Sequence, residues 1–322
     1  MVIGLYDVDS HNFPNLALMK ISAYHKAKGA IVEWWSTIYH YDKVYVSKVF
    51  GDEYSQISNM SINADEIVYG GTGFAITIEN GKEVYHKDRD KDLPYEIEHM
   101  YPDYSLYPNL TKDTAYGFLT RGCPNNCSFC SVSQKEGRCS HKVADLSEFW
   151  NGQKYIKLLD PNILACKDRI KLLEQLRDSK AYVDFTQGLD ARFVTEEIAL
   201  LLKQIKIKSV HFAFDFMKNE KAIIKGLKTY ADIVGTTNND VVYMLTNFDT
   251  THEEDMYRLR QIEKCGFLPD VRIYRKPVAP QITRDLQGWC NNRIIYKKCD
   301  WLDFVPRADG KTIKELYYTQ TK

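Results

Sequence analysis

The stretch "TRGCPNNCSFCSV", residues 120–132, places Cys123, Cys127 and Cys130 at the spacing C-x3-C-x2-C. Three thiolates are one too few for a closed structural zinc site and one too many for a disulfide. Asn125 and Asn126 suit a turning backbone, and Pro124 stiffens it. The three thiols can therefore converge on one centre and leave a further coordination position free. A zinc site completed by Cys139 or His141, a few residues downstream, is the competing reading of the same residues.

The segments flanking this loop set the architecture. "TAYGFLTR" reads as a strand that runs straight into it, and from there a βα rhythm repeats. The later strands are "YIKLLDPNI", "AYVDFTQGLD", "SVHFAFD", "VVYMLTNFD" and "DVRIYR". The helices are "DLSEFW", "KDRIKLLEQLRDS", "TEEIALLLKQI", "NEKAIIKGLKTYADI" and "HEEDMYRLRQIEKCG", with Thr195 as the N-cap of the third. Six strands with five helices between them predict a partial (β/α)6 TIM barrel over residues 113–280, with its chemistry at the C-terminal strand ends. Upstream, "VIGLYDVD", "AIVEWW", "KVYVSKVF" and "DEIVYGG" read as four strands, with a helix over "NLALMKISAYHKAKG" that stops at Gly29. They predict an open Rossmann-like parallel sheet in residues 1–95. A tyrosine-rich passage with Pro94, Pro102 and Pro108 makes a linker over 96–112, and residues 281–322 form a C-terminal extension. The predicted class is α/β.

The bulk composition is that of an ordinary globular protein: 322 residues, 44% hydrophobic and 27% charged. No apolar run reaches the ~18 residues of a membrane helix, and the first residues lack the basic and apolar pattern of an export signal. Eight cysteines in such a chain predict a cytoplasmic, reducing setting, where clustered thiols bind metal or do chemistry. The zero net charge is unevenly spread: residues 1–112 carry 10 Lys/Arg against 16 Asp/Glu, residues 271–322 carry 11 against 5. The basic end suits either a phosphate-bearing substrate or a contact with the acidic end.

The cysteine spacing, Phe129 just before the third cysteine, the loop's place after the first barrel strand and the six-fold βα count resemble the radical S-adenosylmethionine superfamily. As pattern, the resemblance covers roughly residues 113–280, and the cysteine loop is its specific part. It implies a [4Fe–4S] cluster on Cys123, Cys127 and Cys130 and S-adenosylmethionine at the open iron. Reductive cleavage would then yield a 5′-deoxyadenosyl radical that abstracts hydrogen from a substrate. It also implies an electron donor such as flavodoxin or ferredoxin.

The remaining site residues are placed by the same resemblance. Relatives often carry Gly-Gly-Glu at the end of strand two; here "LLDPNIL" offers Asp160 and Asn162, and an Asp-Pro turn explains the same letters. Strand three ends with Gln187, Asp190 and Arg192, which would lie near cofactor or substrate, or Asp190 and Arg192 would clasp each other. Asp215 ends strand four. Asn247 and Asp249 follow strand five as candidates for the ribose or adenine, whereas Glu253, Glu254 and Asp255 read as first-turn helix charges.

An N-terminal open sheet before the barrel resembles the cobalamin-binding-type group of this superfamily, on "FPNLALMKISAYHKAKG", "IVYGGTGF" and the linker "YPDYSLYP". Methylthiotransferases share the layout but hold a second cluster on N-terminal cysteines, and no cysteine precedes Cys123. The resemblance thus admits cobalamin and a methylase chemistry. His11 sits in Asp9-x-His11-x-x-Pro14, where some cobalamin proteins have glycine in place of Pro14. It reads as a surface or interdomain group rather than a cobalt ligand. Cys265, Cys290 and Cys299 lack the close pairing of a second cluster and read as buried small hydrophobes. A non-enzymatic alternative is a nucleic-acid or partner-binding protein with a structural cluster. Its basis is Trp289, Tyr296 and Trp301 among Arg293, Lys297 and Lys298.

Overall fold

A computed structural model describes residues 1–58 and 60–319. In chain order its first elements are β1 (Val2–Asp7), α1 (Leu16–Ala27), β2 (Ile31–Trp34), β3 (Tyr41–Ser47), β4 (Ala64–Gly70), β5 (Ile76–Glu79), β6 (Lys82–Tyr85), α2 (Tyr95–Glu98) and α3 (Pro108–Thr111). Next come β7 (Thr114–Gly117), β8 (Thr120–Arg121), α4 (Val132–Glu136), β9 (His141–Lys142), β10 (Tyr155–Leu158), α5 (Arg169–Ser179) and β11 (Tyr182–Phe185). The last are α6 (Glu196–Leu202), β12 (Lys206–Ala213), α7 (Glu220–Ile233), β13 (Val241–Thr246), α8 (His252–Lys264), β14 (Leu268–Ile273), α9 (Gln281–Asn291) and α10 (Arg293–Lys298). Two compact units result, Met1–Val183 and Asp184–Lys322, divided inside β11.

The first unit opens with the expected parallel sheet, in the order β2-β1-β3-β4. Helix α1 starts where Asn15 accepts the Leu18 amide at 3.2 Å and ends at Gly29, whose φ of 79° suits a left-handed stop. It is apolar on two sides. Leu18 and Ile21 pack with Ile3, Leu5 and Ile97, while Leu16 and Met19 pack with Leu159, Phe118 and Tyr104. A helix apolar on two sides must be covered on both, so the linker and the end of β10 are its second wall. Polar pairs repeat that attachment: Lys20 Nζ to Glu98 Oε1 at 2.9 Å, and Ser22 Oγ to Asp103 at 2.6 Å. Strands β5 and β6 form an antiparallel hairpin that the sequence reading missed. Its turn is Asn80–Gly81, both at positive φ (47° and 75°), as a two-residue turn between twisted strands requires.

The larger sheet runs β14-β13-β12-β11-β10-β7, the predicted six strands in unbroken sequence order, and the partial barrel is the architecture observed. The pairs β7–β10, β12–β13 and β13–β14 are parallel, the last with Met244 opposite Val271. "DLSEFW" forms a 3-10 turn, Leu146–Glu148, rather than a helix, because the capping box of Asp145 and Glu148 closes on itself within three residues. In the second unit Phe212, Tyr230 and Phe267 make an edge-to-face cluster beneath β12. Helix α9 lies along β14: Asn291 Oδ1 accepts the Val271 amide at 2.8 Å, and Gln287 donates to the Val271 carbonyl at 2.9 Å.

Candidate metal centre

Strand β7 ends at Gly117, and the chain enters a short antiparallel ribbon, Thr120 opposite Lys142 and Arg121 opposite His141. Everything between those pairs is one closed excursion, and it carries the three cysteines. Its neck is fixed by Glu136, which accepts from Arg121 Nη1 at 2.7 Å and from the Gly122 amide at 3.0 Å. Cys123 N donates to the Gly137 carbonyl at 3.1 Å, and Cys130 N to the Cys127 carbonyl at 3.0 Å. Gly122 is required here: its φ is 83°, and a Cβ would stand 2.3 Å from the Cys139 carbonyl oxygen. Asn126 takes φ 46° and accepts from Ser133 Oγ at 3.0 Å. The result is a loop held by its own backbone, with Cys123, Cys127 and Cys130 half-buried and unbridged.

Three half-exposed thiols of one loop, past the end of the first strand of a parallel sheet, are a donor set that suits an iron–sulfur cluster with one open iron. The chemistry of the donor set is what suits the group; among the described residues no three His, Cys, Asp or Glu side chains are gathered as tightly as a single metal ion would need. The rival zinc ligands are engaged elsewhere: Cys139 Sγ faces the Ser140 carbonyl at 3.7 Å, and His141 Nδ1 lies 3.1 Å from the Cys139 carbonyl. Both side chains are exposed.

The segment after β10 turns toward this loop. Asp160 is 4% exposed. One carboxylate oxygen accepts the Leu119 amide at 3.1 Å, and the other accepts the Thr120 amide at 2.5 Å and its hydroxyl at 2.6 Å. Burial pushes its pKa up from 3.8 to about 6, against the pull of those hydrogen bonds. Asp160 thus ties the exit of β10 to the entrance of the cysteine loop. Asn162, equally buried, caps the turn Ile163–Ala165 and directs Nδ2 to Cys123 Sγ at 3.7 Å.

In the second unit Asp190 and Arg192 form a two-pronged clasp, with Nε 2.9 Å from Oδ1 and Nη2 2.6 Å from Oδ2. Gln187 and Asp249 are exposed. Asp215 accepts the Leu245 amide at 2.9 Å, and burial raises its pKa. Asn247, at φ 60°, donates to the Tyr274 carbonyl at 2.8 Å.

Asp255 lies in the first turn of α8, as expected, but it is 3% exposed and pairs with fully buried Arg258 at 2.5 Å. The Arg258 guanidinium also donates to the carbonyls of Phe214, Asp215 and Leu245. An acid and a base three apart on a helix was the available signal. A second feature that sequence reading missed is a polar ladder on one face of the strands. His211 stacks on Tyr243 at 5.0 Å, Arg272 lies 4.5 Å over the Tyr243 ring, and Asp184 is 4.0 Å from His211 Nδ1.

Cys265, Cys290 and Cys299 sit apart from this loop, and Cys299, expected to be buried, is half-exposed. Cys265 and Cys290 are buried, and burial pushes the Cys290 thiol up to about 12. Trp289 and Trp301 are each 2% exposed and pack on one another at 5.5 Å, with Tyr296 against Trp289 and bonded to Glu263. These rings form the core of the C-terminal extension.

At the C-terminal edge of the N-terminal sheet, the crevice between β1 and β3 is where open α/β sheets bind ligands. Here its polar groups bond one another. Asp9, 2% exposed, accepts the amides of Val49 and Phe50 at 2.8 and 2.9 Å. Asn15 donates to Ser47 Oγ at 2.8 Å, and Tyr107 of the linker donates to Asp7 at 2.5 Å. A Cβ on Gly71 would stand 2.3 Å from the Lys48 carbonyl oxygen, so its close approach is spent on the chain's own backbone. His11 is exposed.

No family model matches the chain, and no curated protein matches it in sequence. Among solved structures it is similar to the radical S-adenosylmethionine methyltransferase TsrM from Kitasatospora setae, determined with cobalamin and a [4Fe-4S] cluster bound. The TM-score is 0.60 at 11% identity, over 84% of this chain and 74% of that one. At this identity the likeness is one of fold: parallel α/β sheets of four and six strands. The three cysteines share one loop, and the polar groups of the crevice between β1 and β3 bond one another.

Proposed function

We propose that this chain is a radical S-adenosylmethionine enzyme, with a [4Fe–4S] cluster on Cys123, Cys127 and Cys130, acting without cobalamin. The observation that carries the reading is the closed, glycine-necked loop presenting three thiols beyond the first strand of a partial barrel. When bound, the cluster would supply the electron for reductive cleavage of S-adenosylmethionine. In this reading Asp160 serves by holding the loop's entrance through its bonds to Leu119 and Thr120. In the second unit, exposed Gln187 and Asp249 are the strand-end residues offered to substrate. His211 and Tyr243 offer a polar, half-exposed face for substrate, beside Arg272, which is paired with Asp270 at 2.7 Å. The electron would come from a small donor protein such as flavodoxin or ferredoxin.

The test is anaerobic reconstitution of the full chain. The protein should be brown and hold about four irons, and the electron paramagnetic resonance signal of its reduced cluster should change on adding S-adenosylmethionine. Reduced protein should release 5′-deoxyadenosine, and Ala at Cys123, Cys127 or Cys130 should abolish both cluster loading and cleavage. Colourless protein with one zinc per chain would end the proposal.

A further inference from the structure

Asn162 is 2% exposed, and its amide orientation is set by its surroundings. Oδ1 accepts the Ala165 amide at 3.3 Å as the cap of the turn after β10. That fixes the other end, Nδ2, toward Cys123 Sγ at 3.7 Å, within reach of an N–H···S contact. The residue's own carbonyl accepts from buried Ser140 Oγ at 2.8 Å, so the strand exit and the far side of the cysteine loop are joined through it. Two residues earlier, Asp160 grips Leu119 and Thr120. The amide therefore meets the sulfur from a frame fixed at three points. Ser, Thr or Asp would cap the turn as well, but none of them also extends an N–H to the sulfur.

We infer that Asn162 is a positioning residue for electron transfer: its Nδ2–H donates to the Cys123 thiolate and makes the cluster easier to reduce. The inference rests on the reading that these cysteines hold a [4Fe–4S] cluster. One-electron reduction, by an external donor, adds a negative charge that the ligand sulfurs share. A buried N–H donor stabilises that charge more in the reduced than in the oxidised state, and hydrogen bonds to sulfur are among the determinants of cluster potential. No bond of the protein is made or broken.

Two variants retain the cap and remove the donor, Asn162→Ser and Asn162→Asp. Reconstituted full-length proteins would be titrated anaerobically with redox mediators, following the reduced-cluster signal. Both midpoints should move to more negative potential. A tenfold loss of reduced fraction at fixed poise corresponds to about 59 mV for one electron, and Asp should exceed Ser because it adds a charge. Thermal unfolding of the metal-free chains should stay close to wild type. In wild-type protein carrying ¹⁵N-asparagine, electron spin-echo modulation of the reduced cluster should show a nitrogen coupling that Asn162→Ser diminishes. Unmoved midpoints in both loaded variants, or no such coupling in wild type, would overturn the inference. Wild-type protein that takes up no [4Fe–4S] cluster would instead sink the functional reading on which it stands.

Discussion

Replacing Asp160 by Asn separates what this carboxylate costs from what it positions. In the folded chain its pKa is pushed from 3.8 to about 6 by burial, which is worth about 3 kcal/mol against the ionised form. A raised carboxyl value means that this contribution is fully present below 3.8 and is lost as pH climbs through about 6. Asn removes that dependence and introduces a different fault. Its single carbonyl can keep the two Thr120 bonds, but its NH2 then faces the Leu119 amide, donor against donor. An orphaned buried N–H costs about 1–3 kcal/mol, similar to the relief from not burying a charge. The two proteins should therefore differ little in stability at pH 7. Wild type should gain on the variant by about 3 kcal/mol as pH falls to 4. Urea unfolding of the metal-free chains, followed by tryptophan fluorescence at intervals between these pH values, measures the gap. At pH 7 the variant should nonetheless hold several-fold less iron after reconstitution, because the Leu119 amide no longer anchors the loop. A gap that does not change with pH, or an equally stable variant that loads iron fully, would refute the reasoning.

Other expectations follow from the same packing. Arg258→Leu should cost about 3–5 kcal/mol, because it leaves Asp255 charged and buried without its partner; urea unfolding reads it directly. Removing residues 1–112 should give a core that aggregates, because Leu159 and Phe118 lose the Leu16 and Met19 side of α1. A monomeric, soluble truncation by light scattering would contradict this. Protein mixed with hydroxocobalamin should retain well under one equivalent after desalting. Tight one-to-one retention, with a spectrum altered by His11→Ala, would restore a methyl-transfer reading.

The strands and the cysteine loop were legible because their signals are local. β-Branched runs mark β1, β3, β12 and β13, and three thiols in one loop need no distant partner to be noticed. The hairpin at Asn80–Gly81 was equally local and was simply passed over. What stayed hidden depends on long sequence separations. Lys20 with Glu98 and Ser22 with Asp103 are 78 and 81 residues apart, so no periodicity could show that the supposed linker is packed against α1. Asp160 and Asn162 were visible as polar residues at a useful strand end. Their direction was not, because whether such a group faces a cofactor or the neighbouring loop is decided by the turn that follows. Asp255 was legible as a first-turn acid but its burial was not, because only the tertiary fold sets it beside Arg258.

The two amides that α9 lays along β14 also decide where the sheet stops. An open strand edge is a template on which another strand can add, from the same chain or from a neighbour. At Val271 that template is occupied, its N–H by Asn291 and its carbonyl by Gln287, so the edge offers no free pair there. Side-chain amides imitate the missing seventh strand without extending the sheet. A half-open barrel needs such a terminator, because its unclosed rim would otherwise invite polymerisation, and in this chain the terminator is two residues of one helix.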